Sequence, residues 1–418
     1  MARERGLNNQ PEWLTAKEAA DLLGVRTATV YAYASRGLLG AGKKGKYPRA
    51  MVEVLKRKAD ARSGHGAVAA GALRWGEPVL DSSITQLTPR GPVYRGRRAI
   101  ELVEKPYELV AELLWGVEED SSSATARLPL TLTLSRRGGR GDPRAPSVDW
   151  TARVPRVRTQ SERPSLHAWL EVVIGLAPQL RTASWRAAGP ALMHRLACSA
   201  GDHEAEAEEH ANIVDAVGVS LLGRELKKNE AKLINASLVL MADHELNPST
   251  FSARVAASAG APWMDCFIAA LGASAGTRHA SACDDAERFW RAALTSTDAP
   301  KTLVSRALEG GRAIPGFEAG AYPQGDPRAE KLLSLLKPQL APATRRRVED
   351  VLAAVDDATG QLPAVDSALA LTGVQLGLPP RAPTALFVLG RTAGWFAHIE
   401  EQQASADPIR PRARFVAK

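Results

Sequence analysis

The apolar run Ala236-Ser-Leu-Val-Leu-Met241 gives way at once to Ala242-Asp-His-Glu-Leu-Asn247 and then to Pro248-Ser-Thr-Phe251. Core helices rarely end in Asp, His, Glu and Asn together, because each needs a partner once buried. The pattern therefore predicts a helix that carries ligand-binding groups into a pocket. His244-Glu245 is also how a zinc-protease helix begins, but that chemistry needs a second His four residues on, where Pro248 stands, so zinc is rejected. Nearer the start, Thr15-Ala-Lys-Glu18 is a capping box opening a short helix with Ala19, Ala20, Leu22 and Leu23 inward. Gly24-Val25 supplies a turn, and Thr27 caps a second helix, Ala28 to Arg36, that stops at Gly37. Gly42-Lys-Lys-Gly-Lys-Tyr-Pro-Arg49 then predicts a basic hairpin wing, and Met51 to Arg62 a third helix. Small, uncharged residues from 63 to 72 predict a flexible linker, and the Gly/Pro/Arg-rich stretch 136–146 an exposed loop.

Composition narrows the class. Hydrophobic residues make up 45% of the 418 and aromatics only 5%, with many Ala and Leu, which favours helices over a sandwich or barrel. At this length two or three cores are expected. The cysteines Cys198, Cys266 and Cys283 are odd in number and lack Cys-x-x-Cys spacing, as expected of reduced, buried thiols in a cytoplasmic protein. The first ten residues have no apolar core for a signal peptide, and no run approaches the roughly 18 apolar residues of a membrane span. Asp202-His-Glu-Ala-Glu-Ala-Glu-Glu-His210 reads as an acidic helix start and not as a metal site, so no metal is expected.

Charge separates the chain into two parts. The net charge is +8, and residues 1–63 hold thirteen Lys or Arg against six Asp or Glu, while the other 355 residues are nearly balanced. That surplus points to a polyanion partner for the short segment. Two helices about a Gly turn form a helix-turn-helix, and with the wing the segment is similar to the winged helix-turn-helix of excisionase and mercury-resistance-type regulators. By that resemblance the second helix enters the major groove and presents Arg26, Thr27, Thr29, Tyr31 and Arg36. Lys43, Lys44, Lys46 and Arg49 would meet phosphates.

Beyond the linker the motifs resemble the citrate synthase family. Ala242-Asp-His-Glu-Leu-Asn247 with Ser249-Thr-Phe-Ser-Ala-Arg254 looks like its oxaloacetate segment. Val79 to Thr85 and Val93 to Arg97 resemble its β-hairpin, and Tyr107 to Gly116 the helix after it. Ile314-Pro-Gly-Phe317, Asp326-Pro-Arg-Ala329, Gly390-Arg-Thr-Ala-Gly-Trp395 and Ile409-Arg-Pro-Arg-Ala-Arg-Phe415 follow in the family's order. The resemblance covers roughly residues 76 to 418 and implies a mainly α fold: a two-domain helical body with a short β-hairpin, preceded by the winged helix-turn-helix. The expected divisions are a DNA-binding domain over 1–63, a linker over 64–75, a large domain over 76–279, a small domain over 280–375, and the rest of the large domain over 376–418.

The family condenses acetyl-CoA with oxaloacetate, and the resemblance assigns roles residue by residue. Asp366 matches the base, His279 the enol-stabilising His, and Arg328, Arg391 and Arg410 the carboxylate clamps, with His244 adding a hydrogen bond. Arg410 would reach the neighbouring subunit's site, which implies a homodimer. Acyl-CoA and oxaloacetate are the implied small-molecule partners, and no cofactor is implied beyond acetyl-CoA as substrate. Two departures stand out. Ala280 and Ser281 replace two glycines after His279, and an ungapped alignment puts Ala319 where the family's carbonyl-polarising His stands. The expectation is therefore an acyltransferase of reduced rate joined to a DNA-binding module. Its alternative is a transcriptional regulator whose degenerate body senses a metabolite.

Overall fold

The structure is a computed structural model, and it describes residues 13–23, 25–35, 39, 46–49, 52, 80–117, 148–309, 313–317, 321–322, 324–405 and 408–411. The chain divides into two compact units, Met1–Asp81 with Arg410–Lys418, and Ser82–Ile409.

In the first unit, β1 (Trp13–Thr15) runs into α1 (Ala16–Leu23), followed by α2 (Thr27–Ser35) and β2 (Lys46–Pro48). The capping box forms as expected: the Glu18 carboxylate accepts from the Thr15 amide at 2.8 Å, and Thr15 Oγ1 accepts from the Glu18 amide at 3.3 Å. Ala16, Ala19, Ala20, Val30, Leu39 and Tyr47 close a small core of their own. The wing differs from the expectation in its pairing. Lys46–Pro48 pairs antiparallel with β1, in the register Leu14 opposite Tyr47. Burying Leu14 and Tyr47 on one face fixes that long-range partner. The third helix, apart from Val52, lies outside the described residues, as do the linker 63–72 and the loop 136–146.

The second unit opens with a three-stranded antiparallel sheet, β3 (Thr85–Thr88), β4 (Gly91–Tyr94) and β5 (Arg97–Arg98). The first strand starts at Thr85, where the expected hairpin segment ended. Upstream, side chains take the amides: Ser82 Oγ accepts from Ile84 N at 3.3 Å and Glu401 from Ser83 N at 2.7 Å. The body is then helical through α3 (Tyr107–Leu114), α4 (Leu166–Leu180), α5 (Trp185–Cys198), α6 (Glu204–Ala207), α7 (Ile213–Leu222), α8 (Lys228–Met241), α9 (Pro248–Ser258) and α10 (Trp263–Ser274). It continues through α11 (Ala282–Thr295), α12 (Pro300–Leu308), α13 (Pro327–Leu336), α14 (Pro342–Thr359), α15 (Val365–Leu376) and α16 (Ala382–Gln403).

Two of these helices fix the site. The C-terminal half of α8 and nearly all of α16 are buried, and they meet backbone to backbone. A Cβ at Gly390 would lie 2.7 Å from Leu238 O, and one at Gly394 would lie 2.2 Å from Asp243 Oδ1 and 2.6 Å from Ala242 O. Two buried tyrosines pin the crossing. Tyr107 Oη donates to the carbonyls of α16 at Leu389 and Gly390, and Tyr94 Oη sits 3.1 Å from the Asp243 carbonyl. Gly394→Ala should therefore destabilise the protein by about 3 kcal/mol, since overpacking against backbone cannot relax by side-chain rotation. Urea unfolding checks this, and an unchanged midpoint would contradict it.

Candidate active site

Met241 ends α8, and the chain turns sharply beneath it. Glu245 takes a left-handed conformation (φ 53°), and its amide donates to Asp243 Oδ2 at 3.1 Å. Asn247 then caps α9, its Oδ1 accepting from the amides of Ser249 and Thr250 at 3.1 and 3.2 Å. His244 stands inside the first of these turns, and its Nε2 is 3.0 Å from Tyr322 Oη. Burial, followed by the charges of Arg328 and Arg391, holds its imidazole well below the usual histidine range.

Arg391 projects from α16 and is 1% exposed. Its Nε donates to the Met241 carbonyl at 2.8 Å, and its guanidinium lies 5.1 Å from the centre of the Phe387 ring. Among the described residues its Nη1 has no hydrogen-bond partner. Arg328, in the first turn of α13, is committed differently. Nε and Nη2 fork onto Asp326 at 3.0 and 2.8 Å, and the same carboxylate accepts from the Val365 amide at 3.1 Å. One carboxylate thus ties the Arg328 cation to the start of α15, where Asp366 sits.

His279 comes from the loop between α10 and α11. Its Nε2 is 2.8 Å from Ser249 Oγ, which also accepts from Trp395 Nε1 at 3.1 Å. Burial, with Arg391 adding to it, pushes the imidazole down to about 4, so the ring is neutral near pH 7. Asp366 lies in the first turn of α15, and the Cys283 thiol donates to its Oδ1 at 2.9 Å.

Behind the site runs a buried chain of polar contacts. Arg254 donates to His398 Nδ1 at 3.2 Å, which leaves His398 Nε2–H to donate to Asp243 Oδ2, also at 3.2 Å. Arg254 also binds Glu401 at 2.7 Å and Gln402 at 2.9 Å. The Asp243 carboxyl is low because His398 and Arg391 outweigh the burial that pushes it up.

The structure thus gathers His244, His279, Arg328 and Arg391, and it places Asp366 on a helix anchored to Arg328 through Asp326. Arg410 is exposed and belongs to the first unit. Glu318 and Ala319 lie outside the described residues. Sequence reasoning passed over Ser249, Asp326 and Cys283 as site residues. The Asn-Pro-Ser-Thr cap could have signalled the first, whereas nothing local marks Cys283. In the first unit, Ala28, Tyr31 and Ser35 form the exposed stripe of α2, with Tyr31 57% exposed. Arg26 and Lys46 are exposed, Thr27 and Thr29 are half-buried, and Arg36, Lys43 and Lys44 lie outside the described residues.

A family model for the citrate synthase C-terminal domain matches residues 157–412, which is more than half of the chain. The chain belongs to the citrate synthase family. A helix-turn-helix domain model matches residues 13–58. Citrate synthase of Haloferax volcanii is 32% identical over 223 residues, covering 52% of this chain and 59% of that protein. The 2-methylcitrate synthase of Shewanella oneidensis is 30% identical over 210 residues, covering 48% and 56%. The chain therefore spans less than two thirds of the curated relatives it matches. Among solved structures, citrate synthase from Thermotoga maritima covers 82% of this chain and 95% of its own, with a TM-score of 0.61 at 21% identity. That of Thermoplasma acidophilum, solved with carboxymethyl coenzyme A and oxaloacetate, has the same coverage, a TM-score of 0.63 and 20% identity. These two likenesses establish the fold. Among the described residues no helix is long and apolar enough to cross a membrane.

The depressed histidines carry a pH consequence. His279 and His194, both at about 4, stay neutral in the folded chain while an unfolded chain protonates them near 6.5. Stability should therefore be fully present above about pH 6.5 and fall as the pH drops toward 4, by on the order of 3 kcal/mol for His279 alone. Urea midpoints between pH 7.5 and 4.5 check this, and a flat profile would contradict it.

Proposed function

We propose that the citrate-synthase-like body condenses a short acyl-CoA, acetyl-CoA first among them, with oxaloacetate to give citrate and free CoA. The observation that carries this reading is Arg391, a buried cation with an unpartnered Nη1 beside Arg328 and two neutral imidazoles. Burial of this cation outweighs the compensating charge of Asp243, and a bound dicarboxylate relieves that cost. In the proposed reaction Asp366 removes a proton from the acyl α-carbon, and His279 donates to the thioester oxygen as the enol forms. Ser249 supports that role by holding the ring in place, its Oγ 2.8 Å from His279 Nε2. The enol carbon then attacks the keto carbon, and water cleaves the thioester, releasing the thiol. No metal or prosthetic group enters these steps.

Arg328, Arg391 and His244 hold the oxaloacetate, with Arg410 supplied by the other subunit of a homodimer. The matched relatives include both citrate and 2-methylcitrate synthases, so acetyl and propionyl chains are the two acyl groups to compare. We assign the protein to the cytoplasm. With Ala319 in place of a His donor, a site in which no other side chain donates would turn over about 100- to 1000-fold more slowly than one holding that His. The test is thiol release from acetyl-CoA and propionyl-CoA with and without oxaloacetate. Release that depends on oxaloacetate supports the reading, and none with either thioester removes it.

A second reading rests on a different observation, the exposed stripe of α2 on a separate unit that carries the basic surplus. The first unit binds DNA, with Arg26, Thr27, Thr29, Tyr31 and Arg36 toward bases or phosphates and Lys43, Lys44 and Lys46 on phosphates. The body then acts as a metabolite sensor. Ligand shifts DNA affinity only by its preference for one of two body states, typically about 1–3 kcal/mol. Anisotropy titrations with duplex DNA across salt concentrations test it. No binding at low salt removes the regulator, and binding indifferent to oxaloacetate and acetyl-CoA leaves a DNA-tethered enzyme.

A further inference from the structure

We propose that Tyr322 supplies the hydrogen bond that polarises the keto carbonyl of the bound 2-oxo dicarboxylate, the role for which Ala319 has no donor. This rests on the acyl-transfer reading above and names the group that makes its carbon–carbon step feasible in this chain.

Four observations converge on the phenol. Tyr322 is 6% exposed, so its hydroxyl lies in the site and not in bulk water. Its Oη is 3.0 Å from His244 Nε2, the imidazole assigned to the same ligand. The guanidinium of Arg328 lies 5.4 Å from the centre of its ring, and Arg328 and Arg391 both lower the energy of negative charge on its oxygen. Burial outweighs these cations and pushes the phenol up to about 12, so it keeps its proton near pH 7 and remains a donor. A buried, protonated phenol beside a cation donates toward an oxygen that gains charge, and a hydrogen bond formed in a water-poor site counts for more than one in water.

The exchange needs no new reactant. In the unliganded site Tyr322 Oη and His244 Nε2 satisfy each other. With ligand bound, the phenolic O–H turns from His244 Nε2 to the keto oxygen, and His244 keeps its own hydrogen on Nδ1 for the ligand. As the enol carbon attacks the keto carbon, the C=O π pair moves onto that oxygen, and the Tyr322 hydrogen bond stabilises the alkoxide. Ala319 offers only a methyl group at the aligned position.

The test pairs kinetics with a spectroscopic readout that needs no turnover. Tyr322→Phe keeps the ring and deletes the hydroxyl. It should lower kcat about 100-fold with the KM for oxaloacetate changed less than about threefold, because the bond strengthens only as charge develops. Ala319→His in the Tyr322→Phe background should restore most of the loss. Infrared spectra of carbon-13-labelled oxaloacetate should show the keto stretch lowered on binding the unaltered chain and returned toward its solution value on Tyr322→Phe. Unchanged kcat, a rise in KM alone, or a keto stretch that Tyr322→Phe does not move would each overturn the assignment. Oxaloacetate that binds with an unshifted carbonyl overturns Tyr322 and leaves the acyl-transfer reading standing. No binding of oxaloacetate overturns both.

Discussion

Asp366→Asn should cut thiol release by about 100- to 10,000-fold while leaving the KM for oxaloacetate within about threefold, since general-base catalysis typically contributes that much. The substitution preserves the side chain's volume and its place in the first turn of α15, where the Val365 amide is tied to Asp326. An amide cannot accept the substrate's α-proton, so the loss falls on kcat. Cys283 can still donate to the amide oxygen, so the fold has no reason to change. Steady-state kinetics with a circular dichroism spectrum of each variant would check this. A kcat within tenfold of the unaltered chain would move the base elsewhere.

Arg391→Met should weaken oxaloacetate binding by about 100-fold or more. Two charge-assisted hydrogen bonds to a carboxylate are together worth on the order of 3 kcal/mol. The cation is 1% exposed and its Nη1 has no partner among the described residues, so little competes with a ligand for it. Arg391→Lys should recover little, because an ammonium cannot fork onto a carboxylate while also donating to the Met241 carbonyl as Nε now does. Isothermal titration with oxaloacetate measures both variants. An affinity unchanged within threefold would contradict the clamp.

How much of this was legible in the sequence depended on how far each interaction reaches along the chain. Thr15 and Glu18 lie three residues apart, and their reciprocal cap formed as the spacing predicted. The apolar run to Met241 likewise announced a buried helix end. Contacts across long separations were not legible. The pairing of Lys46–Pro48 with Trp13–Thr15 depends on which apolar side chains share one small core. Cys283 and Asp366 meet only because α11 packs on α15. The Arg254–His398–Asp243 chain crosses three segments, so no local pattern could supply its partners. The Glu245 turn was hidden for another reason: a left-handed residue that is neither Gly nor Asn carries no compositional signal.

The central claim is that this body joins an acyl carbon to a keto carbon, and product identity tests it most directly. Full-length chain incubated with oxaloacetate and acetyl-CoA carrying carbon-13 at the methyl position should give citrate with the label in one methylene, seen by carbon-13 NMR, together with one free thiol per citrate. Labelled acetate with thiol and no labelled citrate, or no labelled product even at high enzyme concentration and long incubation, would contradict it.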